Sequence, residues 1–186
     1  MRKNEAYSVE ITGLTAEGAG VARIDGQVVF VPGVIPGERC EIRIDHVGRT
    51  CAYGSLVRVE KTSEHRVTPE CESFGHCGGC VFWHMDYACE LEQKRRRVQD
   101  ALSRIGGIDF PDLQITGSQS IYGYRNKVQF PVQSQNGKTI AGFYRAGSHT
   151  VIPITGCKIQ PESAEQIRAA VLSWMEKENV PAYDER

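Results

Sequence analysis

The sequence lacks any long hydrophobic run. No stretch approaches the about 20 apolar residues that a membrane-spanning helix requires, and the first residues, MRKNEAYSVEITG, lack the apolar core of a secretory signal peptide. Internal repeats, low-complexity tracts and flexible linkers are also missing, which excludes a repeat architecture. These absences predict a cytoplasmic protein without a membrane partner.

The composition is typical of a folded protein. Hydrophobic residues make up 40% and charged residues 24% of the 186 positions, so the chain can bury a core. Because a single domain usually has about 100 to 150 residues, we expect two small domains.

Seven cysteines, an odd number, are present. Thiols stay reduced in the cytoplasm, so these residues are expected to be metal ligands or core residues before disulfides. Cys40 and Cys51 lie at or near predicted strands, and we predict that both are buried.

The formal net charge of −1 hides a basic block. Residues 94–158 contain 10 Lys and Arg against 3 Asp and Glu, whereas residues 62–93 contain 1 against 6. Concentrated positive charge favours a polyanion such as RNA, because phosphate contacts release counterions. A solvated helix face is the alternative explanation.

The N-terminal third has the pattern of a small β-barrel. Short alternating segments predict five strands, and Asp25-Gly26 predicts a tight hairpin because Gly accepts a positive φ. Gly-rich turns without a helix favour closure into an OB-like barrel over residues 1–61. The predicted strands are 8–14, 20–24, 27–31, 39–47 and 52–61.

Residues 62–186 are predicted to form an α+β domain, so the whole fold is mainly β and α+β. Helices are expected over Asp86–Ile105 and Pro161–Glu178, on either side of a meander made of LQITG, YRNKVQFPVQ and KTIAGFYRAG. The helices carry apolar stripes that should face a core: Ala88, Leu91, Val98, Leu102 and Ile105 on the first, and Ile167, Val171 and Trp174 on the second.

The segment CESFGHCGGCVFWH, residues 71–84, predicts a metal site. Cys71, Cys77 and Cys80 have the spacing C-x5-C-x2-C, and the Gly-Gly turn can aim amide N–H groups at sulfur. A structural site needs a fourth ligand. His76, His84, Cys89 and Cys157 are the candidates, and spacing alone does not separate an iron–sulfur cluster from zinc. The spacing disfavours an iron–sulfur cluster for radical catalysis, because such clusters usually have the spacing C-x3-C-x2-C. A redox-sensing pair of thiols is a further alternative.

The motifs together resemble the RNA (uracil-5-)-methyltransferase family, specifically the 23S rRNA members with an N-terminal TRAM domain and a [4Fe-4S] cluster. EGAGVARIDGQVVFVPGVIPGE resembles the TRAM barrel, C-x5-CGGC with a distant GC resembles the cluster motif, and YGYRNKVQFPV and GFYRAGSHTVIPI resemble the central domain. The resemblance implies that Cys71, Cys77, Cys80 and Cys157 bind the cluster.

The resemblance also implies methylation of uracil C5 to 5-methyluridine with S-adenosylmethionine. In the family, a C-terminal domain binds this cofactor and carries the catalytic residues. No part of this chain matches that domain, so we expect an inactive N-terminal part of such an enzyme. The alternative is a stand-alone zinc-dependent RNA-binding module without enzymatic activity.

Several side chains are candidates for contact with RNA, which the resemblance implies is 23S rRNA. No obligate protein partner is expected. Cations interleaved with aromatic residues suit splayed bases and their phosphates. We expect Phe82 and Trp83 to shield the cluster from solvent. The predicted RNA-binding residues are Lys94, Arg96 and Arg97 on the first helix, and Arg125, Lys127 and Arg145 on predicted strands.

Overall fold

The computed structural model describes residues 1–183 and divides into two compact units. The first unit comprises Met1–Pro69 and Val81–Gly117, and the second comprises Glu70–Cys80 and the described residues from Ser118 onward. The predicted division between residues 61 and 62 stays a prediction. Among the described residues, no helix has the length and hydropathy to cross a membrane.

The first unit is built on a curled six-stranded sheet. Its strand order is β1-β5-β6-β4-β3-β2, with all neighbours antiparallel except β4 and β6. The fold class predicted from the sequence is confirmed. The strands are β1 (Ala6–Glu10), β2 (Gly13–Leu14), β3 (Gly20–Ile24), β4 (Gln27–Val31), β5 (Arg39–Val47) and β6 (Cys51–Lys61).

The structure has six strands and not five because the predicted strand 8–14 is divided into β1 and β2, which lie at opposite edges of the sheet. Its first half pairs with β5, and its second half pairs with β3. Between them, the Ile11 N–H donates to the Glu38 carbonyl and the Thr12 N–H to the Val21 carbonyl, both at 2.9 Å. These bonds satisfy edge groups that a flat sheet would expose.

The hairpin between β3 and β4 forms where the sequence predicts it. Asp25 and Gly26 have φ values of 49° and 82°, as a type I′ turn requires. Cys40 is fully buried in the barrel core, as predicted, and burial raises the pKa of its thiol to about 11. Cys51 is only half-buried, because it lies on the outer face of β6.

Helix α1 spans Tyr87–Asp100 and continues as a π-helical turn over Ala101–Ile105. Asp86 is its N-cap, since the Asp86 carboxylate accepts a hydrogen bond from the Cys89 N–H at 2.7 Å. The expectation that the apolar stripe of α1 faces a core is wrong, because the Val98 side chain is 48% exposed and Ile105 is 87% exposed. Cys89, outside that stripe, is buried and packs with Ile35 and Met85.

The second unit contains a three-stranded antiparallel sheet and a helix. Its strands lie in sequence order: β7 (Val132–Gln135), β8 (Lys138–Tyr144) and β9 (Val151–Pro153). Asn136 and Gly137, both with positive φ, form the hairpin turn between β7 and β8. The predicted strand over LQITG does not form.

Helix α2 spans Glu162–Lys177, close to its predicted bounds. Met175 is buried, while Arg168 extends along the sheet and donates to the Ala141 carbonyl at 3.4 Å. The expected burial of the stripe containing Ile167 and Trp174 is wrong, since these side chains are 64% and 55% exposed.

Candidate metal centre

The cysteine loop, residues 70–80, belongs to the second unit and folds into successive turns. The Phe74 N–H donates to the Cys71 carbonyl at 3.0 Å, and the Cys77 N–H donates to the Ser73 carbonyl at 2.9 Å. These bonds turn the chain back on itself between the first two predicted ligands. Backbone hydrogen bonds therefore span the five-residue gap between Cys71 and Cys77.

The loop is fixed to the end of β8 by a close backbone approach. The Gly78 N–H donates to the Tyr144 carbonyl at 2.9 Å, and Cys77 forms a β-bridge with Arg145. A Cβ atom at Gly78 would lie 3.0 Å from the Ala146 nitrogen and 3.1 Å from the Tyr144 oxygen. Glycine is therefore needed here for proximity, in addition to its flexibility.

An amide donor already points at one predicted ligand. The Gly79 N–H donates to the Cys77 sulfur at 3.3 Å, the kind of bond expected from the Gly-Gly turn. Burial raises the pKa of the Cys77 thiol, and the nearby Cys157 and Cys71 act in the same direction. The Gly79 amide and Arg125 oppose the shift.

Cys157 reaches this region from the turn after β9. The segment around it is held by backbone bonds: the Gly123 N–H donates to the Lys158 carbonyl at 3.0 Å, and the Arg125 N–H to the Ile159 carbonyl at 2.9 Å. Ile159, two residues after Cys157, is buried and helps to fix the turn that carries Cys157. The fourth thiol is thus positioned by main-chain pairing within the second unit.

A small cavity of about 30 Å³ brings the four predicted ligands together. Cys71, Cys77, Cys80 and Cys157 all line it, together with the apolar side chains of Phe74, Phe143, Ile154 and Ile159. Arg125, predicted to contact RNA, also lines the cavity, where its guanidinium can balance thiolate charge.

Two of the other candidate ligands, His84 and Cys89, pack within the first unit, whereas His76 is an exposed residue of the cysteine loop. His84 is 3% exposed and its Nε2 lies 3.3 Å from the Val34 carbonyl, while Cys89 belongs to the apolar cluster of α1. Phe82 packs against that same cluster. Phe82 and Trp83 belong to the first unit and the cavity belongs to the second, so their shielding role stays a prediction. Phe74 and Phe143 are the aromatic side chains that line the cavity.

The chemistry of the donors indicates which metals the four thiols would suit. Within residues 1–183, no group of three His, Cys, Asp or Glu side chains is placed to hold a metal ion. Four thiolates suit either a tetrahedral zinc ion or an iron–sulfur cluster. None of the seven cysteines, all within the described part of the chain, forms a disulfide.

The basic residues of α1 are exposed but partly neutralised by their own helix. Lys94 Nζ forms an ion pair with Glu90 Oε1 at 2.5 Å, and Arg96 Nε forms one with Glu92 Oε1 at 2.6 Å. Hydrogen bonds from Arg95 and Arg96 lower the pKa of Glu92 to about 2. Arg97 donates to the Ala16 carbonyl at 3.5 Å and is otherwise directed to solvent.

A groove of about 500 Å³ lies beside the cysteine loop. Arg145 and the ring pair Tyr144 and His149, whose centroids are 5.6 Å apart, line it together with the Gly78-Gly79 backbone. His149 was not singled out from the sequence, because its pairing with Tyr144 requires the tight connection between β8 and β9. Lys127 is exposed on the segment before β7.

Comparison with known proteins supplies independent findings. Residues 2–57 match the TRAM domain. The whole chain is 41% identical to a Clostridium tetani protein and 37% identical to a Bacillus cereus protein, each described as an uncharacterized RNA methyltransferase. The chain spans 40% and 41% of the lengths of these two relatives.

A solved structure shares the fold. The Pyrococcus abyssi tRNA (uracil-54, C5)-methyltransferase in complex with S-adenosyl-L-homocysteine superposes with a TM-score of 0.63 at 21% identity. The match covers 92% of this chain and 37% of that protein.

Proposed function

We propose that this chain is the N-terminal RNA-binding and iron–sulfur part of an S-adenosylmethionine-dependent 23S rRNA (uracil-5-)-methyltransferase of the cytoplasm. The similarity of the entire chain to proteins described as RNA methyltransferases supports the enzyme class. The TRAM match supports RNA as the partner. The observation that carries the iron–sulfur assignment is the shared cavity of the four thiols.

The thiolates of Cys71, Cys77, Cys80 and Cys157 would hold a [4Fe-4S] cluster. All four are sulfur donors, the Gly79 N–H already donates to one of them, and the remaining lining is largely apolar. When bound, the cluster would cross-link the loop to the turn after β9, and we assign it an architectural role. Arg125 would offset part of the negative charge of the thiolates.

The reactive steps are assigned to the part of such an enzyme that this chain does not cover. In the family reaction, a cysteine thiolate adds to uracil C6, the methyl group moves to C5, and loss of the C5 proton precedes elimination. No residue of this chain is given a role in these steps or in binding S-adenosylmethionine. The chain alone is therefore expected to be inactive.

The groove at Arg145 is proposed as an RNA contact. Its exposed Tyr144 and His149 rings can stack on an unpaired base, and the guanidinium of Arg145 can meet a phosphate. The groove adjoins the cluster site, because Cys77 forms a backbone β-bridge with Arg145. Lys127 and the exposed cations of α1 would add sequence-independent phosphate attraction.

The metal assignment is tested by anaerobic purification and reconstitution of the 186-residue chain. We expect a brown protein with about four irons and matching sulfide. Replacing Cys157 by Ala should abolish stoichiometric iron, whereas the matched Cys51→Ala variant, a half-buried cysteine of the barrel, should keep it. A colourless protein with one zinc, or full iron in Cys157→Ala, would contradict the assignment.

The reaction is tested in the cell. Deleting the gene that encodes this chain should remove 5-methyluridine from 23S rRNA, measured by mass spectrometry of nuclease digests. Loss from tRNA alone would correct the substrate, and unchanged 5-methyluridine in both RNAs would refute the proposal.

A further inference from the structure

Three aromatic rings form a row on the outer face of the barrel sheet. Phe30 on β4, Tyr53 on β6 and His46 on β5 belong to adjacent strands, and the strand register pairs Tyr53 with both of the others. The Phe30 and Tyr53 centroids are 5.7 Å apart, and those of His46 and Tyr53 are 6.4 Å apart. These separations lie in the range of interacting aromatic pairs.

The row faces solvent, and the barrel core lies on the other side of the sheet. Tyr53 is 51% exposed and His46 is also exposed, while the flanking residues Ala52 and Gly54 are buried. A side-chain hydrogen bond with Cys51 raises the pKa of Tyr53, so its ring stays neutral. Rings placed outside the core contribute little to folding, and clustered exposed apolar surface marks a binding site.

Two guanidinium groups flank the row on the same face. Arg43 on β5 pairs with Ser55, two residues beyond Tyr53 on β6, and Arg23 on β3 pairs with Val28, two residues before Phe30. Residues two apart on a strand share a face. Both arginines are exposed, and the nearest carboxylate contact of Arg43, to Asp45, is a long 3.9 Å. Positive charge therefore borders both ends of the ring row.

We infer that the row of Phe30, Tyr53 and His46 is a stacking platform for unpaired bases of single-stranded RNA. Neutral rings offer faces to bases of any sequence, and the flanking arginines lie where the phosphates of such a strand would run. A duplex cannot use the platform, because its base faces are already stacked. The inference rests on the proposed function, which makes RNA the partner, and it adds a site separate from the groove at Arg145.

The test is fluorescence anisotropy with the 186-residue chain and a labelled oligouridine of about 12 nucleotides, within the span of one OB-type barrel. Tyr53→Ala should weaken binding about fivefold or more, since one stacked base is worth about 1–3 kcal/mol. Tyr53→Phe keeps the ring and should bind within about twofold of wild type. Val57→Ala, an exposed aliphatic change on the same strand, is the matched control and should also have little effect.

Salt dependence separates stacking from charge. Tyr53→Ala should leave the slope of log affinity against log salt unchanged, whereas Arg43→Gln should reduce it by about 0.7, the effect of one phosphate contact on a single strand.

Circular dichroism confirms that each variant is folded. Wild-type affinity in Tyr53→Ala overturns the platform and leaves the proposed function intact, while failure of the wild-type chain to bind any RNA overturns both. Loss of self-association in Tyr53→Ala, with unchanged RNA binding, would instead identify the row as a contact between copies.

Discussion

The buried ion pair between Glu38 and Arg66 gives the most quantitative prediction for the barrel. The Glu38 side chain is fully buried, and its carboxylate accepts from Arg66 Nε at 2.5 Å, Arg66 Nη2 at 2.8 Å and the Ile35 N–H at 3.0 Å. Arg66 also donates to the Gly33 carbonyl at 2.9 Å. The pair thus holds the loop between β4 and β5 against residue 66.

Replacing Glu38 by Gln should leave a buried arginine charge without its partner. Such losses cost about 3–5 kcal/mol. We expect the lower end, about 3 kcal/mol, because Arg66 is 23% exposed and keeps its bond to Gly33. The matched control is Glu41→Gln, whose partner Arg58 is 64% exposed, and a surface pair of this kind contributes less than about 1 kcal/mol.

The assay is urea unfolding followed by tryptophan fluorescence. Each unit contains one of the two tryptophans, so a Trp174→Phe background makes Trp83 the sole reporter of the first unit. Both Gln variants are compared in that background at neutral pH, with the urea m-value checked for constancy. A loss for Glu38→Gln within about 1 kcal/mol of that for Glu41→Gln would refute the reasoning from burial.

The pH dependence of the same variant has a defined sign. Burial alone would raise the pKa of Glu38, but Arg66 and the Ile35 N–H together lower it below 4.5 in the folded protein. The stabilisation is therefore present above pH 4.5 and is lost as the pH falls through the lower folded pKa. Glu38→Gln should lack this part of the acid sensitivity.

Two further predictions concern α1 and the cysteine loop. Asp86→Ala should destabilise the first unit by about 1 kcal/mol through loss of the N-cap to Cys89, while Asp86→Asn should keep the cap. Both changes should also remove a pH effect. The hydrogen bond that His65 donates to the Asp86 carboxylate raises the pKa of His65 above 6.5. The stabilisation from this pair is therefore present below pH 6.5 and disappears as the pH rises through the folded pKa. Urea titrations from pH 5 to 9 check this, and an unchanged profile in Asp86→Asn would contradict it. Gly78→Ala should displace the cysteine loop from β8, because the added Cβ atom would lie 3.0 Å from the Ala146 nitrogen. The variant should therefore bind less iron after reconstitution. An iron content equal to that of the wild type would contradict this prediction.

Local signals in the sequence predicted much of the fold. Asp25-Gly26 and Asn136-Gly137 specify their turns because these residues tolerate the positive φ that the turns require. Asp86 specifies the start of α1 because its carboxylate caps the helix. Such features need no knowledge of distant contacts. For this reason the bounds of the barrel strands and of α2 agree closely with the sequence-based expectations.

Features that depend on distant partners were not predictable from the same signals. Periodicity identified an apolar face on α2, but it could not say that Trp174 would be exposed and Met175 buried. Likewise, spacing in the cysteine loop left four candidates for the last ligand. The position of Cys157 depends on pairing of residues 123–125 with 158–159, which no local pattern encodes.

Main-chain hydrogen bonds join the cysteine loop to β8, and a further amide donates to a predicted metal ligand, so removal of a bound cluster should weaken the second kind of bond more than the first. The Gly78 N–H donates to the Tyr144 carbonyl, whereas the Gly79 N–H donates to the Cys77 sulfur. A thiolate bound to iron accepts a stronger hydrogen bond than a neutral thiol. Chelation should therefore accelerate amide hydrogen exchange at Gly79 much more than at Gly78, as measured by nuclear magnetic resonance on the reconstituted and stripped chain. Equal acceleration at both amides would mean that the metal, and not the backbone, creates the loop.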